Sequence, residues 1–439
     1  MKGAQRSVKN TVKNISLLVL VGLLAILCAA NWLTGINIAG MPADNLLRRA
    51  YDHLVGGAVG YELRSSGVAA AEPAQIALTI EGQLYGVQYN LTEVEAGVSA
   101  VRALWAQVLA DGTLEPVEDE TALTAALQAG DCALLRYHGS LPLGVIAGWM
   151  EGSWKQEESL AVESLVYTAG TGQLFVRTPD GALYAAQAEA ADSTLQSAQQ
   201  SFHGMPCAFA GGEYAVYPET LLFDNERLSL PLLEERTIDL LSAQSGTGLE
   251  GLLQAFGFTA YSDFYDEQNG AVRVFVDNAS TLRVSAQGLL QYASSGEEGA
   301  VRAYEEGEVR GQSALEAQMD SARVILDEAL RAGETDTHAA LYAVQQSGEE
   351  TTLVFMQMYS GVPVLGDSDF ATFRFAEDGT LRSATIRLQR FAARETMQTV
   401  LPARQAAAGA AAEQRSMMVA YRAQDGVYVP ARFYLQTGS

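Results

Sequence analysis

The stretch Gly246-x-Gly248-x-x-Gly251 matches the dinucleotide fingerprint letter for letter. In that fingerprint the glycines let the backbone close on a pyrophosphate at a helix N-terminus. The chemistry needs a buried strand before the turn and a βαβ unit around it, and neither pattern flanks Gly246. A flexible segment leading into a helix is the simpler reading. The histidines His53, His138, His203 and His338 are scattered, with no H-E-x-x-H or H-x-x-x-H pair to put two imidazoles on one helix face. No G-x-S-x-G elbow and no D-x-D-x-D-G calcium loop occurs. A triad assembled from distant positions would leave no local mark. Acidic clusters sit at Glu118-Asp119-Glu120, at Glu297-Glu298 and beside Tyr304 at Glu305-Glu306. Paired-carboxylate hydrolysis needs two acids about 5–9 Å apart across a cleft, whereas these stretches read as solvated loops. Cys132 and Cys207 are either a disulfide in an oxidising compartment or two buried free thiols. The residues thus point to no catalytic centre, no cofactor and no metal site.

The elements that carry these residues follow from composition and charge. Of 439 residues 48% are apolar, which excludes a disordered chain, and three cysteines are too few for a disulfide-stapled scaffold. With 28 basic against 52 acidic residues the net charge is −24, the wrong sign for a protein that wraps nucleic acid. The charge is also uneven. Residues 1–14 carry Lys2, Arg6, Lys9 and Lys13 and no acid. Ile15 to Leu33 follows with no ionisable side chain except the Cys28 thiol. At about 1.5 Å per residue that segment makes a helix of ~28 Å, close to the ~30 Å hydrocarbon core of a bilayer. A basic stub before the span and an acidic body after it predict a single pass, N-terminus cytoplasmic and bulk extracytoplasmic.

Cleavage after Cys28-Ala29-Ala30 as a signal peptide is the competing reading, but the segment is long for an h-region and Trp32 suits an interfacial anchor. Acylation of Cys28 is disfavoured by Leu27, where a small residue is needed. Within the span, Gly22, Ala25 and Ala29 fall on one side and Asn31 lies near the outer interface, a candidate packing face for a partner helix. Gly144 to Met150 is too short to span again.

Outside the span the pattern predicts a connector over 34–72, an N-terminal α+β domain over 73–215, a middle β-rich domain over 216–308 and a C-terminal α+β domain over 309–439. Ile76–Ile80 and Leu84–Tyr89 read as a hairpin around Glu81-Gly82-Gln83. Glu93–Ala110 reads as a helix with Val94, Val98, Val101, Leu104, Trp105 and Val108 on one face. Thr121–Ala129 is a short helix, and strands follow at Cys132–His138, Ser164–Tyr167, Gln173–Arg177 and Ala182–Gln187. Leu240–Phe256 is a glycine-broken helix before a meander at Ala271–Val276, Leu282–Val284 and Gly288–Tyr292. Ser313–Ala332 is a helix with a Ser313/Glu316 capping box and Leu315, Met319, Ala322, Leu326 and Leu330 on its apolar face. Strands at Thr352–Tyr359, Phe370–Phe375 and Thr380–Arg390 surround a turn-rich link, Gly361–Gly366. Pro402 opens a helix to about Arg415, and Met418–Arg422 and Tyr428–Leu435 form the last hairpin. The expected class is α+β, antiparallel sheets with helices packed on one face.

The C-terminal pieces resemble a known family. They are the helix with Ala322, Phe355-Met-Gln-Met-Tyr-Ser-Gly-Val-Pro-Val364, Phe370-Ala-Thr-Phe-Arg-Phe375 with Gly379, Leu401-Pro402, Tyr421 and Val429-Pro-Ala431. The middle set Val274–Val284 with Gly288 and Tyr292, the pattern Leu141-Pro-Leu143 with Trp149, and the basic stub with its single span fit as well. Together they resemble the YycH and YycI proteins, membrane-anchored regulators of the WalK/WalR (YycG/YycF) two-component system of Gram-positive bacteria. Length and domain plan look more like YycH. Region 190–260 matches least. The resemblance implies a non-enzymatic regulator whose partners are a WalK-like sensor histidine kinase and a YycI-like protein. Two other classes compete: an extracytoplasmic binding module with a PepSY-like third unit, and a secreted hydrolase.

Overall fold

The computed structural model describes residues 72–435, except 111, 155–159, 224–225, 227, 243–245, 260, 278, 296–299 and 305–311. The expected span Ile15–Leu33, with Gly22, Ala25, Ala29 and Asn31, lies outside the described residues. Among the described residues no helix is long and apolar enough to cross a membrane.

The architecture is mixed α+β and dominated by sheet. Strands β1 (Gln75–Ile80) and β2 (Gln83–Gln88) form the expected hairpin, with Glu81 and Gly82 both at positive φ in its turn. Helix α1 (Leu91–Val108) follows, capped by the Asn90 side chain, which accepts from the Glu93 N–H. All six apolar residues expected on its inner face are buried. Next come β3 (Glu115–Pro116), α2 (Thr121–Gln128), β4 (Cys132–Pro142), α3 (Leu143–Trp149), β5 (Ala161–Thr168), β6 (Gln173–Arg177) and β7 (Leu183–Gln187). Helix α4 (Asp192–Ser201) and strands β8 (Met205–Phe209) and β9 (Leu221–Phe223) complete this part. The first sheet runs β8-β2-β1-β4-β5-β6-β7-β3, with every neighbour antiparallel.

Both faces of this sheet are covered, which corrects the expectation of helices on one face. Ile76, Leu78, Leu135, Leu165 and Val176 pack with the α1 core, whereas Ala77, Leu134, Val166 and Phe175 pack with Leu123 of α2 and Leu221 and Phe223 of β9. The physical reason is the composition of the strands: they are apolar at odd and even positions alike, so each side needs a cover.

The second sheet begins after β10 (Ser229–Arg236) and α5 (Gly246–Ala255). It contains β11 (Asp263–Glu267), β12 (Val272–Val276), β13 (Ser280–Ser285) and β14 (Leu289–Ser294). Helix α6 (Gln312–Ala332) precedes β15 (His338–Ser347), β16 (Glu350–Tyr359), β17 (Val362–Leu365), β18 (Ala371–Ala376) and β19 (Leu381–Arg387). Its order is β11-β12-β13-β14-β19-β18-β16-β15. The β14–β19 pairing, Leu289↔Arg387 to Ala293↔Ser383, carries one sheet across residue 308. Residues 66–439 form one compact unit.

Helices α5 and α6 cover one face, burying Leu252, Phe256, Leu315, Met319, Ala322, Leu326 and Leu330 against Leu282, Leu290, Phe373 and Ile386. At about 25 cal/mol per Å² of apolar area, such burial is the main term holding the layer together. A ribbon of β20 (Arg390–Thr399), α7 (Ala403–Gly409), β21 (Ser416–Gln424) and β22 (Val427–Leu435) closes the chain. Strand β17 joins it to the second sheet, antiparallel to β16 and parallel to β21. The expected strand Thr380–Arg390 is two, split at Leu388-Gln389.

Candidate partner-binding cleft

Opposite α6, the second sheet shows a polar face. Leu282, Val284, Leu290 and Ile386 point to the helix, so alternation sends Arg283, Gln291 and Arg387 the other way. These residues floor a cleft of about 830 Å³, walled by the Leu365–Phe370 link with Asp367 and Asp369 and by Tyr342 of β15. Arg283 is held by Glu267, with Nη2 2.5 Å from Oε2. Arg387 makes no ion pair among the described residues, and the neighbouring Asp367 and Asp369 line the same space. Guanidinium, carboxylate and amide groups on a concave surface suit recognition of a polar, extended partner by charge and hydrogen bonds. The sequence signal was there in Leu282-Arg-Val284 and Ile386-Arg-Leu388, where a charge is inserted between two core residues.

The residues singled out for chemistry do not converge. Gly246, Gly248 and Gly251 lie inside α5 rather than in a loop before it. A Cβ on Gly251 would meet the carboxylate end of Glu328 of α6, a flexible side chain, so Gly251 faces α6 rather than a ligand. Cys132 and Cys207 are buried thiols that form no disulfide, and burial followed by the Asp131 charge pushes the Cys132 thiol up to about 12, far from a reactive thiolate. His338 Nε2 lies 3.1 Å from Glu72 Oε2, while Nδ1 of His138 is buried without a hydrogen-bond partner. Burial pushes His138 down to about 4; Glu72 opposes this, and His338 and Arg136 add to it. Among the described residues no group of three His, Cys, Asp or Glu could hold a metal ion. The Glu297-Glu298 and Glu305-Glu306 clusters lie outside the described residues.

Glu118 and Asp119 are exposed as expected, but Glu120 enters a buried ionic network. Arg177, 1% exposed, grips Glu219 with both ends of its guanidinium at 2.7 and 3.0 Å and reaches Glu120 at 2.7 Å. Arg415, just before β21, binds the same Glu120. The two guanidinium groups lie over the Tyr217 ring, at 4.1 and 4.5 Å from its centre. Arg136 of β4 bonds Glu163 and Ser416. A second buried pair, Arg432 and Glu226 at 2.7 Å, also holds Gln88 of β2. These groups tie the first sheet to the terminal hairpin β21–β22. Burial alone would raise the Glu219 carboxyl, but the Arg177 charge and hydrogen bonds bring it below the usual carboxylate range.

No protein-family model and no curated protein matches the chain. Among solved structures, an uncharacterized protein from Eubacterium rectale is 12% identical, with a TM-score of 0.30 over 48% of this chain and 80% of that one. YycH from Bacillus subtilis is 13% identical, with a TM-score of 0.50 over 87% of this chain and 96% of that one. The match extends over most of the chain, and the protein has a YycH-like fold.

Proposed function

We propose that this protein is a non-enzymatic, membrane-anchored regulator that binds a sensor histidine kinase and biases it between signalling states. The observation that carries the reading is the YycH-like fold over 87% of the chain. The cationic stub and the uncharged segment Ile15–Leu33 support a single span with the acidic body outside the cytoplasm. In this reading the partners are a WalK-like kinase and a YycI-like protein in a cell-wall-related two-component system. Regulation then requires unequal affinity for the two kinase states, because a ligand that binds both equally shifts nothing.

The test is affinity purification of the full chain from solubilised membranes, with mass spectrometry of what comes with it. A histidine kinase in the eluate is expected. The cleft floored by Arg283 and Arg387 favours a second reading, an extracytoplasmic binding module. That reading requires capture of a protease or a wall fragment with no kinase present, and such a result would overturn the first.

A further inference from the structure

Strand β11 forms the outer edge of the second sheet. Among the described residues it pairs with β12 alone, Asp263↔Val276 to Glu267↔Val272, leaving its other side open. An open edge carries a row of backbone donors and acceptors ready to pair, and natural proteins usually blunt such edges. This one instead carries aromatic rings in solvent. Tyr261 is 97% exposed, Phe264 51% and Tyr265 52%. Three of the large exposed hydrophobic residues thus lie within five positions.

The platform is held stiff. The Arg273 guanidinium lies 4.5 Å from the centre of the Phe264 ring and donates from Nε to Asp266 Oδ1 at 2.9 Å. Phe264 also rests on buried Phe275, ring centres 5.7 Å apart. A rigid strand with rings in place loses little entropy on binding.

Charge selects the occupant. A second copy of β11 laid antiparallel about Tyr265 would set Asp263 against Glu267, and a copy centred between Phe264 and Tyr265 would set Asp263 against Asp266. Like charges directly opposite destabilise a strand pair, so the sequence disfavours self-association at this edge. Asp266 and Glu267 are already paired with Arg273 and Arg283. Asp263 makes no ion pair among the described residues, and the chain as a whole carries −24. We propose that β11 accepts an extended, cationic segment of another protein by strand addition. In this pairing Lys or Arg lies opposite Asp263 and Tyr265 on one face, and an apolar side chain rests on Phe264 on the other. This does not depend on which signalling system the protein serves.

The probe is a synthetic peptide of alternating lysine and valine, labelled for fluorescence anisotropy and added to the full chain in mild detergent. Three controls accompany it. One has glutamate for lysine. One keeps the lysines but carries N-methyl groups on alternate amides, which removes the donors needed for pairing. One is a vesicle of zwitterionic lipid. The lysine peptide should bind with Kd of roughly 10–100 μM and protect amides of 263–267 from hydrogen exchange. The glutamate and N-methylated peptides should bind at least about tenfold more weakly. Tyr261→Ser with Tyr265→Ser should cost about tenfold in affinity, and Tyr261→Ser alone, at a ring 97% exposed, should weaken binding with the melting temperature unchanged. Asp263→Lys should favour the glutamate peptide. Equal binding of the N-methylated peptide, protection mapped elsewhere, no binding at roughly millimolar peptide, or capture by the vesicles through these tyrosines would each overturn the proposal.

Discussion

Arg177 and Glu219 are the residues on which the junction between the sheet and the terminal hairpin rests. Both are taken out of water, and each is the other's main compensation. Removing one partner of such a pair leaves a charge stranded in the interior, at a cost of about 3–5 kcal/mol. Glu219→Gln is therefore expected to lose about 3 kcal/mol in urea unfolding, and combining it with Arg177→Met should recover part of the loss. An additive double variant would contradict the stranded-charge account. His138 supplies a separate, pH-dependent term. Its pKa falls from about 6.5 unfolded to about 4 folded, so the folded state prefers the neutral ring. The resulting stability is complete above pH ~6.5 and is lost as pH drops from ~6.5 to about 4, by roughly 3 kcal/mol. His138→Asn should flatten that part of the stability–pH curve, and an unchanged slope would show that other groups carry it. Arg177 in the sequence gave no hint of this role; its partners come from two stretches far from it in the chain, Glu120 from one and Tyr217 and Glu219 from the other.

At the scale of elements the two sheets meet where β4 runs parallel to β15, with Ser140 opposite Ala343. Gly139 permits the approach: a Cβ there would lie 2.1 Å from the Tyr342 carbonyl oxygen, and only a backbone shift could relieve it. Gly139→Val is expected to destabilise the fold by roughly 2 kcal/mol or more and lower the melting temperature, while Gly409→Ala, where a Cβ meets nothing nearer than the Tyr434 hydroxyl at 3.7 Å, should do far less. An unaffected melting temperature for Gly139→Val would mean that the sheets do not meet in this way. Elements with one buried face were legible: α1 and α6 showed their apolar stripes, and the β1–β2 hairpin its turn. Strand β17 was not, because Gly361, Pro363 and Gly366 read as a link. It tolerates Pro363 because its pairing with β21 starts only at Val364. Strand β15 and the extension of β4 beyond His138 were missed for a related reason. Strand β15 is held along its length by β16, and the β4 extension by β5 at Leu141↔Val162 and by β15 at Ser140↔Ala343, rather than by their own periodicity.

For the whole molecule, charge asymmetry and the proposed span lead to a prediction about association. If Gly22, Ala25 and Ala29 form a packing face, Ala25→Leu with Ala29→Leu will hold a partner helix away and reduce co-purification of the kinase several-fold. The melting of the outer region should not change. Unaltered association in a membrane two-hybrid assay would remove this packing face and leave contact to the outer surface. The sequence by itself determined the charge asymmetry of the chain, its α+β class and the inward faces of its long helices, because burial periodicity and net charge are local and additive. The tertiary structure alone decided that the first sheet is covered on both sides, that one sheet bridges residue 308, and that a polar cleft and an aromatic edge strand lie where they do. Those features depend on which strands pair between segments far apart in the chain, and strand pairing is set by the energy of the complete core rather than by any one segment.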